Sequence, residues 1–208
     1  MGIMKKFFSQ TKKPEGFLGK IMVNGMNSGG HSSLAEWGFG FIGNIKAEAS
    51  LDCGCGGGAN VRRLLERSDK AYGIDYSEIS VAKSRETNVE AIRRGKCEIL
   101  QGDVCCLPFE NNSFDIVTAF ETVYFWQNIE NAFSEIYRVL KSGGIFAITN
   151  ESTGTDKTSV KFSQIIDGMN LYTGEKLKSL LEKSGFTSIE IHTHADKPWL
   201  NVTAKKAE

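Results

Sequence analysis

From Ala47 onward the chain alternates short apolar runs with longer stretches whose apolar residues recur every three or four positions. Five runs have the length and composition of strands: "ASLDC" (49–53), "AYGID" (71–75), "CEILQG" (97–102), "FDIVTAF" (114–120) and "GIFAITN" (144–150). Between them, residues 59–67, 77–94 and 128–141 read as helices. The last is the clearest, with Ile129, Phe133, Ile136 and Leu140 on one face and "SGG" as its stop. Strand, helix, strand, repeated four times, predicts a parallel sheet with helices on both faces. The tail has a different rhythm. Thr173 is placed to cap a helix holding Leu177, Leu180 and Leu181 that stops at Gly185. "FTSIEIHT" and "WLNVTAK", joined by the turn-rich "HADKP", then read as an antiparallel hairpin. The expected fold is an α/β doubly wound sheet of about seven strands, with the last strand antiparallel.

Residues 1–46 lack this alternation and are rich in glycine and aromatics, among them Trp37, Phe39 and Phe41. They are expected to form an N-terminal cap or lid ahead of a ligand-binding domain at 47–208. Within that domain, residues 151–172 read as an insertion on the acceptor side. Neither segment is long enough for a separate substrate domain, which favours a small acceptor over a protein or duplex nucleic acid.

Charge narrows the partners. The 208 residues carry 25 basic and 25 acidic side chains, which argues against a protein that binds nucleic acid by neutralising many phosphates. Lys5, Lys6, Lys12, Lys13 and Lys20 make the start locally basic, as a solvated face does. No apolar run approaches the roughly 20 residues that span a bilayer. "MGIMKKFF" is followed by no apolar signal core, so a cytoplasmic monomer or homodimer without membrane insertion is expected. The five cysteines, at 53, 55, 97, 105 and 106, are an odd number without a disulfide framework's spacing.

Candidate chemistry centres on "LDCGCGGGANV" (51–61), the loop after the first strand. In open α/β sheets, ligands sit outside the carboxyl ends of the strands, where strand order reverses. Gly54, Gly56 and Ala59 satisfy G-x-G-x-x-A, and Asp75 ends the second strand twenty-one residues after Gly54. A nicotinamide dinucleotide would be offered the same two features, so an NAD-dependent oxidoreductase stays open on the glycines alone. Asp52 bears on the choice. An unpaired carboxylate beside the loop repels a pyrophosphate and attracts an ammonium. S-adenosylmethionine (SAM) carries an ammonium and a sulfonium, and no phosphate. After the third strand, Asp103 could accept a hydrogen bond from an adenine amine while Val104 packs on the purine. Asp75 could take both ribose hydroxyls.

The stretches "LDCGCGGG", "AYGIDYSEISVAKS", "LQGDVCCLPFENNSFDIVTAFETVYFW" and "EIYRVLKSGGIFAITN" resemble the successive motifs of class I SAM-dependent methyltransferases. The likeness is to the small-molecule branch, the ubiquinone/menaquinone-methyltransferase-like group, and runs from about Ala47 to Glu151. It implies a Rossmann-like sheet, SAM as methyl donor and S-adenosylhomocysteine as product. Residue by residue, it implies that Asp52, Gly54 and Gly56 meet the methionine portion. Asp75, with Tyr76 beside it, would meet the ribose, and Asp103 and Val104 the adenine. Phe120 and Glu121 would lie beside the transferable methyl. An acceptor that is a weak acid needs a base, and Glu121 is the first candidate, followed by His31 and Tyr124. A non-catalytic SAM-binding regulator with a blocked acceptor pocket is the opposing reading.

Other features have plainer readings. Cys53 and Cys55 are expected as small buried residues, with no second Cys/His pair at metal-binding spacing. Cys105 and Cys106 are expected to pack near the adenine end, a thiol-assisted mechanism being the sharper alternative. Glu190, His192 and His194 share one face of the sixth strand and are expected on a wetter edge. Among the aromatics, Tyr124 and Trp126 are the preferred acceptor-pocket residues.

Overall fold

A computed structural model describes residues 29–208, with side chains from Ser32 onward. Its elements are α1 (Gly29–Phe39), β1 (Ala47–Cys53), α2 (Ala59–Leu64), β2 (Ser68–Asp75), α3 (Glu78–Thr87), α4 (Val89–Arg93), β3 (Cys97–Gln101), β4 (Phe114–Phe120), α5 (Ile129–Val139), β5 (Leu140–Asn150), α6 (Lys157–Ile165), α7 (Gly174–Lys183), β6 (Phe186–Thr193) and β7 (Leu200–Lys206). One seven-stranded sheet has the order β3-β2-β1-β4-β5-β7-β6. β1 to β5 are mutually parallel, and β7 inserts antiparallel between β5 and β6.

Both faces are covered, which is why the central strands read as nearly continuous apolar runs. Leu51, Val117, Phe146 and Val202 meet Phe133 and Ile136 of α5 and Leu177 and Leu181 of α7 on one face. On the other, Ala71, Ile116 and Ala147 meet Ala35 and Phe39 of α1 and Val61 and Leu64 of α2. Burying each such large side chain contributes about 1.5–3 kcal/mol. Gly38 lets α1 lie close on the sheet, because a Cβ there would meet Thr149 Oγ1 at 2.4 Å.

Thr173 caps α7 as expected, its hydroxyl accepting the Lys176 N–H at 3.2 Å. Three boundaries differ from the sequence reading. Asn88 divides the 77–94 helix into α3 and α4, its side chain turning inward to donate to the Ser84 and Gly58 carbonyls at 2.9 and 3.0 Å. The β3–β4 connection contains no helix, so the strand–helix repeat holds for three crossovers instead of four. β5 begins at Leu140, before the "SGG" expected to separate helix from strand. Gly143 takes φ 73°, and the β4–β5 register shifts between Phe114 and Ile116, so the glycines form an irregularity within the strand.

No helix among the described residues is long and apolar enough to cross a membrane.

Candidate active site

The chain runs outward from β1 through β2 to β3, then returns to place β4 on the other side of β1. This reversal opens a crevice at the carboxyl ends of β1 and β4. β1 ends at Cys53 and the chain turns at once. Gly54 takes φ 76°, and a Cβ there would stand 2.1 Å from Thr122 Oγ1 in the loop after β4. Glycine is required twice over at Gly54, by backbone angle and by the approach of the opposite loop.

The tip of β2 holds the same loop from the other side. Asp75 Oδ2 accepts the Gly56 N–H at 2.9 Å, and Oδ1 accepts the Ser77 N–H at 2.8 Å. Burial raises the Asp75 pKa, while the two backbone bonds act against it. Each carboxylate oxygen keeps a further lone pair for a ligand.

Two adjoining cavities fill the crevice. The larger, about 260 Å³, has Asp75, Tyr76, Asp103, Val104, Cys105, Phe125 and Trp126 in its wall. The smaller, about 120 Å³, lies between α1 and α2 against Ser32, Asn60 and Arg63. Gly54, Gly56, Phe120 and Glu121 line both.

Of the residues expected to contact a cofactor, Gly54, Gly56, Asp75, Tyr76, Asp103, Val104 and Phe120 therefore meet in one crevice. Asp52 is placed differently. Asp52 lies inside β1, which ends at Cys53 as expected, and contrary to its expected contact with the ligand it does not line either cavity. It is buried beneath the crevice, with its Oδ1 accepting the Thr118 hydroxyl at 2.8 Å. Burial pushes its pKa up to about 7, the neighbouring Asp75 charge adding and the Thr118 bond opposing.

Glu121 follows β4 in a left-handed turn, φ 59°, uncommon for a residue with a side chain. Its N–H donates to the Thr149 carbonyl at 2.9 Å, and its Oε1 accepts the Tyr124 hydroxyl at 3.1 Å and the Glu151 N–H. Among the described residues no hydrogen bond engages Oε2. Burial pushes the Glu121 pKa up to about 8; the Glu151 N–H and Tyr124 hydroxyl oppose this and the Glu151 charge adds to it.

Tyr124 does not line the crevice, contrary to its expected place in the acceptor pocket. A single 3-10 turn, Val123–Phe125, directs it into the core, where 4% of its surface is exposed, and Phe125 takes the wall position beside Trp126. It reaches the site through Glu121. His31 falls in the first turn of α1, and its side chain lies outside the described residues.

The aromatics of α1 divide. Phe39 stacks on Phe120 with centroids 4.9 Å apart, backing the crevice wall. Trp37 and Phe41 instead pack on His194, Trp199 and His192 beside the terminal hairpin. Glu190 and His192 approach to 3.4 Å on the edge strand. No cluster of three or more His, Cys, Asp or Glu suited to a metal occurs among the described residues.

Cys53, Cys55 and Cys97 are buried free thiols. Cys105 lines the larger cavity, its N–H donating to Asp103 Oδ1 at 2.9 Å. Burial and the Asp103 charge raise its thiol pKa, which works against a thiolate there. Cys106 is exposed and outside the lining. Thr122, Gln127, Ser80, Gly102 and Arg63 line the cavities without having been picked out from the sequence. Arg63 had a usable signal, standing about one turn into the helix that the glycine loop opens.

The methyltransferase domain family matches residues 51–148, which include both glycine loop and Glu121. Sterol 24-C-methyltransferase erg6 of Schizosaccharomyces pombe is 28% identical over 166 residues, covering 72% of this chain and 43% of that protein. 24-Methylenesterol C-methyltransferase 2 of Arabidopsis thaliana is 34% identical over 108 residues, covering 51% of this chain and 30% of that protein. The chain thus spans less than half the length of these curated relatives. Among solved structures, a SAM-dependent methyltransferase from Aquifex aeolicus superposes with TM-score 0.73 at 18% identity, covering 89% of this chain and 97% of that one. Phosphoethanolamine N-methyltransferase 2 of Haemonchus contortus, solved with phosphomonomethylethanolamine and S-adenosylhomocysteine, gives 0.73 at 19% identity, covering 85% and 53%. The chain shares the fold of these two solved structures.

Proposed function

We propose that the chain transfers a methyl group from SAM to a small-molecule acceptor. The observation that carries this reading is the charge of the crevice. Asp75 and Asp103 stand in the wall of the larger cavity with Glu121, and among the described residues no Lys, Arg or His lines it. Among the described residues a pyrophosphate meets no counter-charge in that cavity, whereas an adenosine joined to a sulfonium meets carboxylates and aromatic rings. The acidic wall and the glycine loop thus fit SAM and disfavour NAD.

In this reading Asp75 binds the ribose hydroxyls, Asp103 faces the adenine amine, and Val104 packs on the purine. SAM supplies an electrophilic methyl carbon with a good leaving group. The protein's part is alignment and exclusion of water, which in favourable cases contribute about 7–11 kcal/mol. For a hydroxyl or similar acceptor, Glu121 Oε2 is placed to take the proton, held from behind by Tyr124. A soft anionic or amine acceptor needs no such base.

Residues 151–172 form the acceptor side together with Phe125 and Trp126. The Asn170 N–H donates to the Tyr124 carbonyl at 2.8 Å, which brings this segment against the turn that carries the base. Of the cap expected over 1–46, residues 1–28 lie outside the described residues and α1 supplies the cap's described part; the site of action is the cytoplasm. Curated relatives methylate sterols by name, which supports a small organic acceptor here. The fold alone does not fix the reaction, since the cyclase SpnF shares it with TM-score 0.66. Incubation with methyl-labelled SAM and a panel of thiols, amines, phenols, quinols and sterols tests the proposal. Label transfer to one class supports it. Tight SAM binding with no transfer to any would favour the regulatory reading.

A further inference from the structure

Resting on the SAM reading above, we infer that Arg63 holds the carboxylate at the amino-acid end of the ligand, in the smaller cavity between α1 and α2. SAM is not only cationic. Its methionine portion ends in a carboxylate, and that negative group must be placed in a crevice bordered by Asp75, Asp103 and Glu121, with Asp52 beneath it. Among the described residues, Arg63 is the one cationic side chain lining either cavity.

Its setting is that of a prepared anion contact. Arg63 lies in α2, the helix entered from the glycine loop, and is half-buried. Nη1 donates to Asn60 Oδ1 at 3.2 Å and Nη2 to Ser32 Oγ at 2.7 Å. Both partners are neutral, so they orient the guanidinium without neutralising it. No ion pair engages it among the described residues. A guanidinium has five N–H donors in a planar fork, so donors remain after these two bonds for an incoming carboxylate. The cavity adjoins the larger one, sharing Gly54, Gly56, Phe120 and Glu121 in its lining. At about 120 Å³ it suits the compact amino-acid end, leaving the 260 Å³ cavity for adenosine.

The arrangement sorts the two charges of the zwitterion. The carboxylate is drawn toward α2, and the ammonium and sulfonium stay on the acidic side near Glu121. It also ties ligand to cap, because the Ser32 hydroxyl that orients Arg63 belongs to α1.

The test pairs a ligand change with a residue change. SAM and decarboxylated SAM, which lacks only this carboxylate, are titrated into the wild-type chain, Arg63→Gln and Arg63→Lys, with thermal melts to confirm folding. Expected is a loss of about ten- to a hundredfold in SAM affinity for Arg63→Gln, little loss for decarboxylated SAM, and partial recovery in Arg63→Lys. An equal loss for both ligands, or no loss for either, overturns the assignment. If the wild-type chain binds neither adenosyl ligand, the SAM reading itself fails, and Arg63 falls with it.

Discussion

The Asp75 carboxylate accepts the Gly56 amide at 2.9 Å, so the acid at the tip of β2 also holds the glycine loop that leaves β1. One side chain thereby shapes the ligand loop and offers its remaining lone pairs to the ligand. Asp75→Ala should weaken SAM binding by well over tenfold, through loss of a charge-assisted contact worth about 1.5–3 kcal/mol and of the loop's anchor. Asp75→Asn, which retains one acceptor oxygen, should lose less. Calorimetric titration with melting curves separates the two effects, and unchanged affinity in Asp75→Ala would remove the ribose assignment.

Gly54 presents a steric prediction. Alanine there must adopt φ 76° with its Cβ 2.1 Å from the Thr122 hydroxyl oxygen. Gly54→Ala should lower stability by more than about 1 kcal/mol and reduce affinity for S-adenosylhomocysteine. Denaturant unfolding measures the first and titration the second. Gly56 is the control, since a Cβ there meets nothing within 4 Å and only the backbone angle, φ 49°, resists it.

The Glu121–Tyr124 pair predicts a pH profile. With the Glu121 pKa at about 8, kcat/KM for an acceptor that must lose a proton should rise through that pH and then level. The Tyr124 hydroxyl bond lowers this pKa. Tyr124→Phe should therefore move the rising limb to higher pH, while Glu121→Gln abolishes it. A limb that stays in place in Tyr124→Phe would show that Tyr124 does not position the base.

Asp52 and Glu121 also predict how stability responds to pH. Their folded pKa values, about 7 and about 8, lie above the unfolded ones, so each favours folding most when protonated. That contribution is complete below about pH 4 and lost as pH rises through the folded values. The melting temperature of the ligand-free protein should accordingly fall from about pH 4 to 8 and level above that, and Asp52→Asn should flatten the part of the fall below about pH 7. A cationic ligand favours the ionised carboxylates, so SAM should bind more tightly and protect more as pH rises.

Sheet and glycine loop were legible in the sequence because their causes are local. Buried parallel strands must be apolar at every position, and tight turns need glycine. The Asp75 and Asp103 positions followed from the strand tips. What escaped depends on a few degrees of backbone. "KSGG" carries the residues of a helix stop, yet Gly143 absorbs them as an irregularity inside β5. Tyr124 and Phe125 are neighbours of similar character, and only the 3-10 turn decides which enters the core. Asp52 was expected at the ligand because glycine follows so closely, yet within the strand its side chain turns to Thr118 under the floor of the crevice. Arg63 was passed over because an arginine on a short helix is ordinary until it proves, among the described residues, to be the one cation lining the cavity.

The central claim is that the crevice holds an adenosyl sulfonium in preference to a dinucleotide. Titration of the purified chain with S-adenosylhomocysteine and, separately, NADH tests it most directly. Micromolar binding of the first with none of the second is the predicted result. Binding of NADH alone would contradict it, and the acids around Gly54 would then need another explanation.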